Sequence, residues 1–209
     1  MSLPVTVVTV HHKTPDLLDQ LYVSLRRVYE HIDIIVVDGG SGDDRASMTA
    51  LQSLSQDPAL TVHYENHNIG HGPGMDAGIR AARAGWILTL DTDCIIERGG
   101  WIEQMLSTVT KNRMGYACGG VVNVDRAGNR IEDGGIPYCR PVTALWRRRV
   151  YLNHPRFELH GAPCLRNQIS ASRAGWRIID FPVDDYVTHL TRGTRTRHGD
   201  HWVNRGPIL

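Results

Sequence analysis

The segment GWILTLDTDC, residues 85–94, runs an apolar stretch from Trp86 to Leu90 straight into two aspartates that flank one threonine. If the stretch is a strand, its side chains alternate faces, so Asp91 and Asp93 point one way and Thr92 the other. Two carboxylates held side by side repel each other unless a proton, a base or a cation lies between them. A capped turn after a strand uses the same residues, so the spacing gains meaning only if other polar groups converge on it.

Working outward, the first half alternates strand and helix. VTVVTV (5–10) is a short β-branched run of the kind that makes a buried parallel strand. Thr14-Pro15 reads as N-cap and first helical position, and Leu18, Leu21, Leu25 and Val28 form one helical face. IDIIVVD (32–38) is a second strand, stopped by GGSGDD, with a helix starting around Asp44. LTVHYE (60–65) is a third strand, followed by a glycine-rich loop (66–78) and a helix through MDAGIRAARA. This alternation predicts an α/β fold, a mostly parallel central sheet flanked by helices. In such sheets ligands bind beyond the carboxyl ends of the strands, which groups His11, Asp38, Asn66 to Gly70 and Asp91 to Asp93 on one rim.

The second half is less regular. A helix is expected over Trp101 to Thr110, and GYACGGVVNVD-RAGN-RIEDGG reads as strand, turn and strand. VTALWRRRVY is a strand or a short helix, RNQISASRAGW a helix ending at Gly175, RIIDFPV a strand, and YVTHL its extension or partner. The expected organisation is one domain over 1–209, with a first half (1–95), a second half (96–190) and a tail (191–209).

Composition sets the class. A chain of 209 residues with 41% hydrophobic and 22% charged residues suits one ordinary globular unit. A net charge of +1 gives no global field toward nucleic acid or an acidic membrane. Cys94, Cys118, Cys139 and Cys164 are scattered, with no CxxC pair, which fits a reducing cytoplasm rather than a zinc ribbon or a disulfide framework. No apolar run approaches the ~20 residues that span a bilayer, and the first residues read as a strand rather than a signal peptide. A cytoplasmic protein that is not integral to a membrane is expected; a homodimer is left open.

On that rim, Asp91 and Asp93 suit Mg²⁺ or Mn²⁺, with positions left for phosphate oxygens and water. The glycines of 66–78 suit close approach of backbone to a ligand, and the following helix offers its N-terminal amides to an anion. Asp38, at a strand end, suits a base or a ribose hydroxyl.

The whole pattern resembles the family 2 glycosyltransferases, whose nucleotide-binding half has the GT-A fold, from about Val5 to about Thr194. The family's Thr-Tyr-Asn-like end of the first strand is matched by TVHH, its VDDGSTD-like segment by VVDGGSGD, and its NxGxxxAxNxG loop in length by NIGHGPGMDAG. LDTDC stands at the family's Asp-x-Asp motif, and His189 falls on the histidine of its C-terminal AGYRIVYVPDAVVWH-like segment. The resemblance implies a metal site of Asp91, Asp93 and His189 holding Mn²⁺ or Mg²⁺. It implies a nucleotide-sugar site of Thr9, Val10, His11, Asp38, Asn68, Gly70, Asp76, Asp91 and Thr92, with Asp38 on uracil. Arg192, Arg195 or Arg197 of the tail would grip the diphosphate. The implied reaction is transfer of a sugar, with inversion, from a nucleotide diphosphate donor (UDP-sugars favoured) to an unidentified acceptor, which is a saccharide, lipid, peptide or nucleic acid.

The departures from the family are specific. Met75 replaces a frequent basic residue and Asp76 the asparagine of the loop. Ala162, Pro163 and Cys164 stand where an acidic pair usually supplies the general base. Glu158 and His160 are the nearest substitutes, with Asp133 and Asp184 behind them. A catalytically silent GT-A domain, which binds sugar nucleotides or scaffolds a partner, is the rival reading. The arginines of WRRRVYLNHPR, with no acid between Arg140 and Glu158, suit either an anionic acceptor or a solvent-facing edge.

Overall fold

A computed structural model of the chain describes residues 3–158, 161–191 and Arg197. Four parallel strands form one side of the sheet: β1 (Val5–His11), β2 (Asp33–Asp38), β3 (Leu60–Tyr64) and β4 (Trp86–Leu90), ordered β3-β2-β1-β4. Beyond β4 the sheet continues as β7 (Ile136–Arg147), β6 (Gly115–Val124) and β8 (Arg177–Asp180), making seven strands. β7 is antiparallel to both β4 and β6, whereas β8 runs parallel to β6 as the edge.

The continuous apolar runs of β1, β2 and β4 follow from burial on both faces. Val5, Val7, Ile34, Val36, Leu88 and Leu90 face one core, with α1 (Pro15–Val28), α2 (Arg45–Leu54) and α4 (Trp101–Lys111). Val8, Ile35, Val37 and Ile87 face the other, with α3 (His71–Ala81), α5 (Arg148–Tyr151) and α6 (Leu165–Arg173). Asp44 caps α2 as its position suggests, accepting from the Ser47 N–H at 3.1 Å. Thr14 caps α1 through its carbonyl, 3.1 Å from the N–H groups of Leu17 and Leu18, and its buried hydroxyl has no hydrogen-bond partner. All four cysteines are free and buried. Among the described residues no helix is long and apolar enough to cross a membrane.

Three expectations are corrected. The glycine-rich stretch is helix rather than loop: α3 begins at His71 and includes Gly72, Gly74 and Gly78. Its glycines answer to packing, because a Cβ on Gly78 would stand 2.4 Å from Val8 Cγ1 and one on Gly74 2.8 Å from Val10 Cγ1. They let α3 lie directly on β1. Only Gly70, at φ +90° before the helix, serves a turn.

The segment RIEDGG is not the second strand of its hairpin. It makes a single bridge, Val124 to Arg130, and Gly134 and Gly135 turn at positive φ before β7 begins at Ile136. YVTHL is neither an extension nor a partner of β8. Its strand β9 (Val187–His189) pairs antiparallel with β5 (Cys94–Ile96), in a two-stranded sheet that sets Cys94 opposite His189.

Candidate nucleotide-sugar and metal site

β4 stops at Leu90, so Asp91 to Asp93 form a turn in which the Cys94 N–H donates to the Asp91 carbonyl at 3.1 Å. The carboxylates therefore converge through a turn, not through strand alternation. β9 brings the third member: the Leu190 N–H donates to the Asp93 carbonyl at 2.8 Å, and His189 Nε2 lies 3.1 Å from Asp93 Oδ1. Asp91, Asp93 and His189 each offer one ligand atom, all within 4.8 Å of one another. β7 supports the turn from below. It bulges around Pro141, which has no N–H to pair, and its Val142 carbonyl accepts from the Asp91 N–H at 3.0 Å.

The electrostatics fit a cation. Asp91 Oδ1 is buried and, with the described residues, makes no regular hydrogen bond, while His71 Nε2 stands 3.3 Å away, within ion-pair reach. The hydrogen bond to Asp93 raises the His189 imidazole above its ordinary range, against the opposing effect of burial. Burial lowers the His71 imidazole, but the Asp91 charge and contact outweigh it and the net shift is upward. Two carboxylates beside two imidazoles whose affinity for protons they raise form a cluster that could hold a cation in place of those protons. Oxygen donors with one imidazole suit Mn²⁺ or Mg²⁺.

His71 was not legible beforehand. It opens α3 next to Gly70, inside a stretch that reads as loop, and only the start of the helix at that residue aims it at Asp91.

Asp38 is a different kind of carboxylate. It is buried and accepts from the Ser41 N–H at 3.0 Å and from His11 Nδ1 at 3.0 Å. The Thr14 N–H donates to His11 Nε2 at 3.2 Å, so the ring proton sits on Nδ1 and is given to Asp38. Burial pushes the Asp38 carboxyl up, but the bonds from His11 and Ser41 prevail and hold it below its ordinary value.

The other expected residues divide. Asn68 sits on the rim, its side-chain oxygen accepting the Gly70 N–H at 2.8 Å. The Val10 side chain abuts the Gly74 position, Thr92 is buried, and Thr9 lines the core beside Leu18 and Val36 with its hydroxyl unpaired. Asp76 is engaged by the protein itself, by Arg80 Nε at 2.9 and 3.0 Å and by the Tyr151 hydroxyl, which ties α3 to α5.

Glu158 is answered by Arg166 at 2.8 Å and by Arg156 at 3.7 Å. His160, Arg192 and Arg195 lie outside the described residues. Arg197 makes a bidentate pair with Asp16 at the start of α1, at 2.5 and 2.8 Å. Of the arginine run, Arg147 stacks on Trp86 and Trp176, 4.9 and 5.7 Å from the ring centroids. Arg148 donates to the carbonyls of Ile79 and Arg80 at 2.9 and 2.8 Å, satisfying the C-terminal end of α3.

Known proteins share this fold. Among solved structures, a mannosyltransferase of Pyrobaculum calidifontis in complex with GDP-Man and Mn²⁺ superposes with a TM-score of 0.65 at 15% identity, over 86% of this chain and 55% of that one. TarS of S. aureus in complex with UDP-GlcNAc superposes with a TM-score of 0.63 at 15% identity, over 88% and 58%. These likenesses establish the GT-A fold. Among curated proteins, an undecaprenyl-phosphate 4-deoxy-4-formamido-L-arabinose transferase of Pseudomonas fluorescens is 25% identical over 60% of this chain and 36% of its own length. The glycosyltransferase AglD of Haloferax volcanii is 23% identical over 73% and 27%. The chain thus spans about a third of the curated relatives it matches. The model of the glycosyl transferase family 2 matches residues 6–173, four-fifths of the sequence, and the chain belongs to that family.

Proposed function

We propose that the protein is a glycosyltransferase that moves a sugar, with inversion, from a nucleotide diphosphate donor to a hydroxyl or phosphate acceptor, uridine donors being favoured. The observation that carries this reading is the convergence of Asp91, Asp93 and His189 on one point at the carboxyl end of the sheet. These residues would hold Mn²⁺ or Mg²⁺, and the bound cation would offset charge developing on the leaving diphosphate. Support comes from the solved neighbours, one binding GDP-Man with Mn²⁺ and one UDP-GlcNAc.

The chain's own groups divide the rest of the work. Asp38, its carboxylate fixed by His11 and Ser41, presents a rigid acceptor at the base end of the rim. Asn68 and Gly70 shape the turn beside it. Glu158 or His160 takes the acceptor proton as the anomeric carbon is attacked. Replacing the true base slows transfer by roughly 10²–10⁴-fold while leaving donor binding intact. If Glu158→Gln and His160→Ala both transfer sugar at the parent rate, the base lies elsewhere.

A silent, donor-binding domain is the second reading, and one observation favours it: Glu158 is held by two arginines. A panel of UDP-, GDP- and dTDP-sugars with Mn²⁺, followed for binding and slow hydrolysis, tests both. Hydrolysis of one donor supports the enzyme. Binding with no turnover of any donor, with or without acceptors, supports the silent domain.

A further inference from the structure

An open groove lies in the molecule's second half, between α6 and the edge strand β8. Arg166, Ile169, Ser170 and Arg173 recur at helical spacing and line it from α6. Arg126, from the turn after β6, and Arg177, opening β8, complete a rim of four arginines, all exposed. Its floor is aliphatic: Ile136 from β7 and Ile178 from β8 face Ile169, with Trp176 closing one end. No acidic residue lines the groove. Glu158 answers Arg166 from outside it, and no ion pair to Arg126, Arg173 or Arg177 occurs among the described residues.

The surroundings extend the same character. Trp176 also borders a smaller recess with Arg149 and His154. Two large apolar side chains stand out at 36% exposure nearby: Met114, within 3.7 Å of where a Gly175 Cβ would lie, and Leu152, between the recess-lining Val150 and Asn153. The chain as a whole carries a charge of only +1, so a face with many arginines and no lining acid is a local concentration of positive charge.

Positive rim, aliphatic floor, a half-buried Trp176 and the exposed Met114 and Leu152 form one chemical pattern. Nucleic acid would exploit the arginines but calls for open aromatic platforms on which bases stack; the one aromatic lining the groove, Trp176, is half-buried and already carries the Arg147 guanidinium, and the rest of the floor is isoleucine. An anionic lipid uses every part: phosphate meets guanidinium, the upper methylenes meet isoleucine, and Trp176 suits the interface between headgroup and chain. We propose that this face docks the protein on an anionic lipid surface, with a phosphate headgroup seated in the groove between α6 and β8. The groove shares no lining residue with the Asp91–Asp93–His189 cluster, and the proposed docking needs neither donor nor metal.

The test uses the full chain and vesicles of phosphatidylcholine, plain or doped with phosphatidylglycerol, in a sedimentation assay. The protein should sediment with the doped vesicles, not with the plain ones, and less as salt rises. Each arginine removed should weaken partitioning about fivefold. Arg173→Gln with Arg177→Gln should therefore weaken it about 25-fold at an unchanged melting temperature, and Ile169→Ser should weaken it with the salt dependence retained. The proposal is overturned if doped vesicles are not bound, if the double variant binds them as the parent does, or if polyuridylate is bound through these arginines while vesicles are not.

Discussion

Asp38 and Asp93 are two buried carboxylates on one rim, each beside a histidine at nearly the same distance, 3.0 Å to His11 and 3.1 Å to His189. Their surroundings separate them. Asp38 lies in a closed set: Ser41 donates to it, His11 donates to it, and Thr14 satisfies the other ring nitrogen. Asp93 shares its pocket with a second carboxylate, Asp91, one of whose oxygens is buried without a hydrogen bond. One pair is complete as it stands and ties the ends of β1 and β2 to the loops that follow them. The other sets two carboxylates and an imidazole within 4.8 Å of one another, an arrangement that could hold a cation. Carboxylate beside imidazole is therefore not one motif but two, told apart by whether a second carboxylate stands beside the pair.

The comparison breaks most visibly under alanine. Asp38→Ala leaves the His11 and Ser41 donors buried and unpaired, at about 1–3 kcal/mol each. A loss of about 2–5 kcal/mol in urea unfolding is expected. Asp93→Ala in EDTA removes one of two repelling carboxylates and should cost about 1 kcal/mol or less. Equal losses at the two positions would erase the distinction.

Divalent metal sharpens it. Saturation at 100-fold over the dissociation constant stabilises a binding-competent fold by about 2.7 kcal/mol. Mn²⁺ should raise the melting temperature of the parent and of Arg173→Gln, and leave Asp93→Ala and His189→Ala unmoved. An equal rise in all four would place the metal elsewhere.

The two pairs should also fail at opposite ends of the pH scale. The Asp38 carboxyl is held low, so its contribution is present above the ordinary value of about 3.9 and is lost as pH falls through the folded value. The His189 imidazole is raised, so without metal its contribution is full below about 6.5 and lost as pH rises through the folded value. Unfolding of Asp38→Asn and His189→Asn across pH, in EDTA, would show the parent's advantage shrinking in acid for the first and in base for the second.

The smallest effect belongs to Glu158. Its arginine partners are solvent-exposed, and Glu158→Gln should shift stability by about 1 kcal/mol or less. A larger loss would make Glu158 a structural residue and weaken it as a candidate base.

Much of this was legible in the sequence. β-branched runs at regular spacing gave the strands, and the carboxyl-end rule brought His11, Asp38 and Asp91 to one rim although they are far apart in the chain. What escaped depended on pairing between distant segments. Nothing in YVTHL names β5 as its partner, yet that pairing puts His189 against Asp93. Glycine was ambiguous for the same reason: Gly74 and Gly78 are required by Val10 and Val8, residues that a local reading of the loop does not see. Likewise Arg147 and Arg148 are taken up by tryptophan rings and helix carbonyls, while Arg126, Arg173 and Arg177, which make no ion pair among the described residues, are dispersed in the sequence and meet only in the fold.

The central claim is that Asp91, Asp93 and His189 form a cation site through which a nucleotide diphosphate is held. Calorimetry of UDP binding, with Mn²⁺ and with EDTA, on the parent and on Asp93→Ala tests it most directly. The parent should bind UDP with Mn²⁺ and lose affinity by about 100-fold or more in EDTA, exceeding the 10–100-fold typical of groups that only orient metal ligands. Asp93→Ala should bind weakly and equally in both. UDP binding by Asp93→Ala with the parent's affinity and the parent's response to Mn²⁺ would contradict the account.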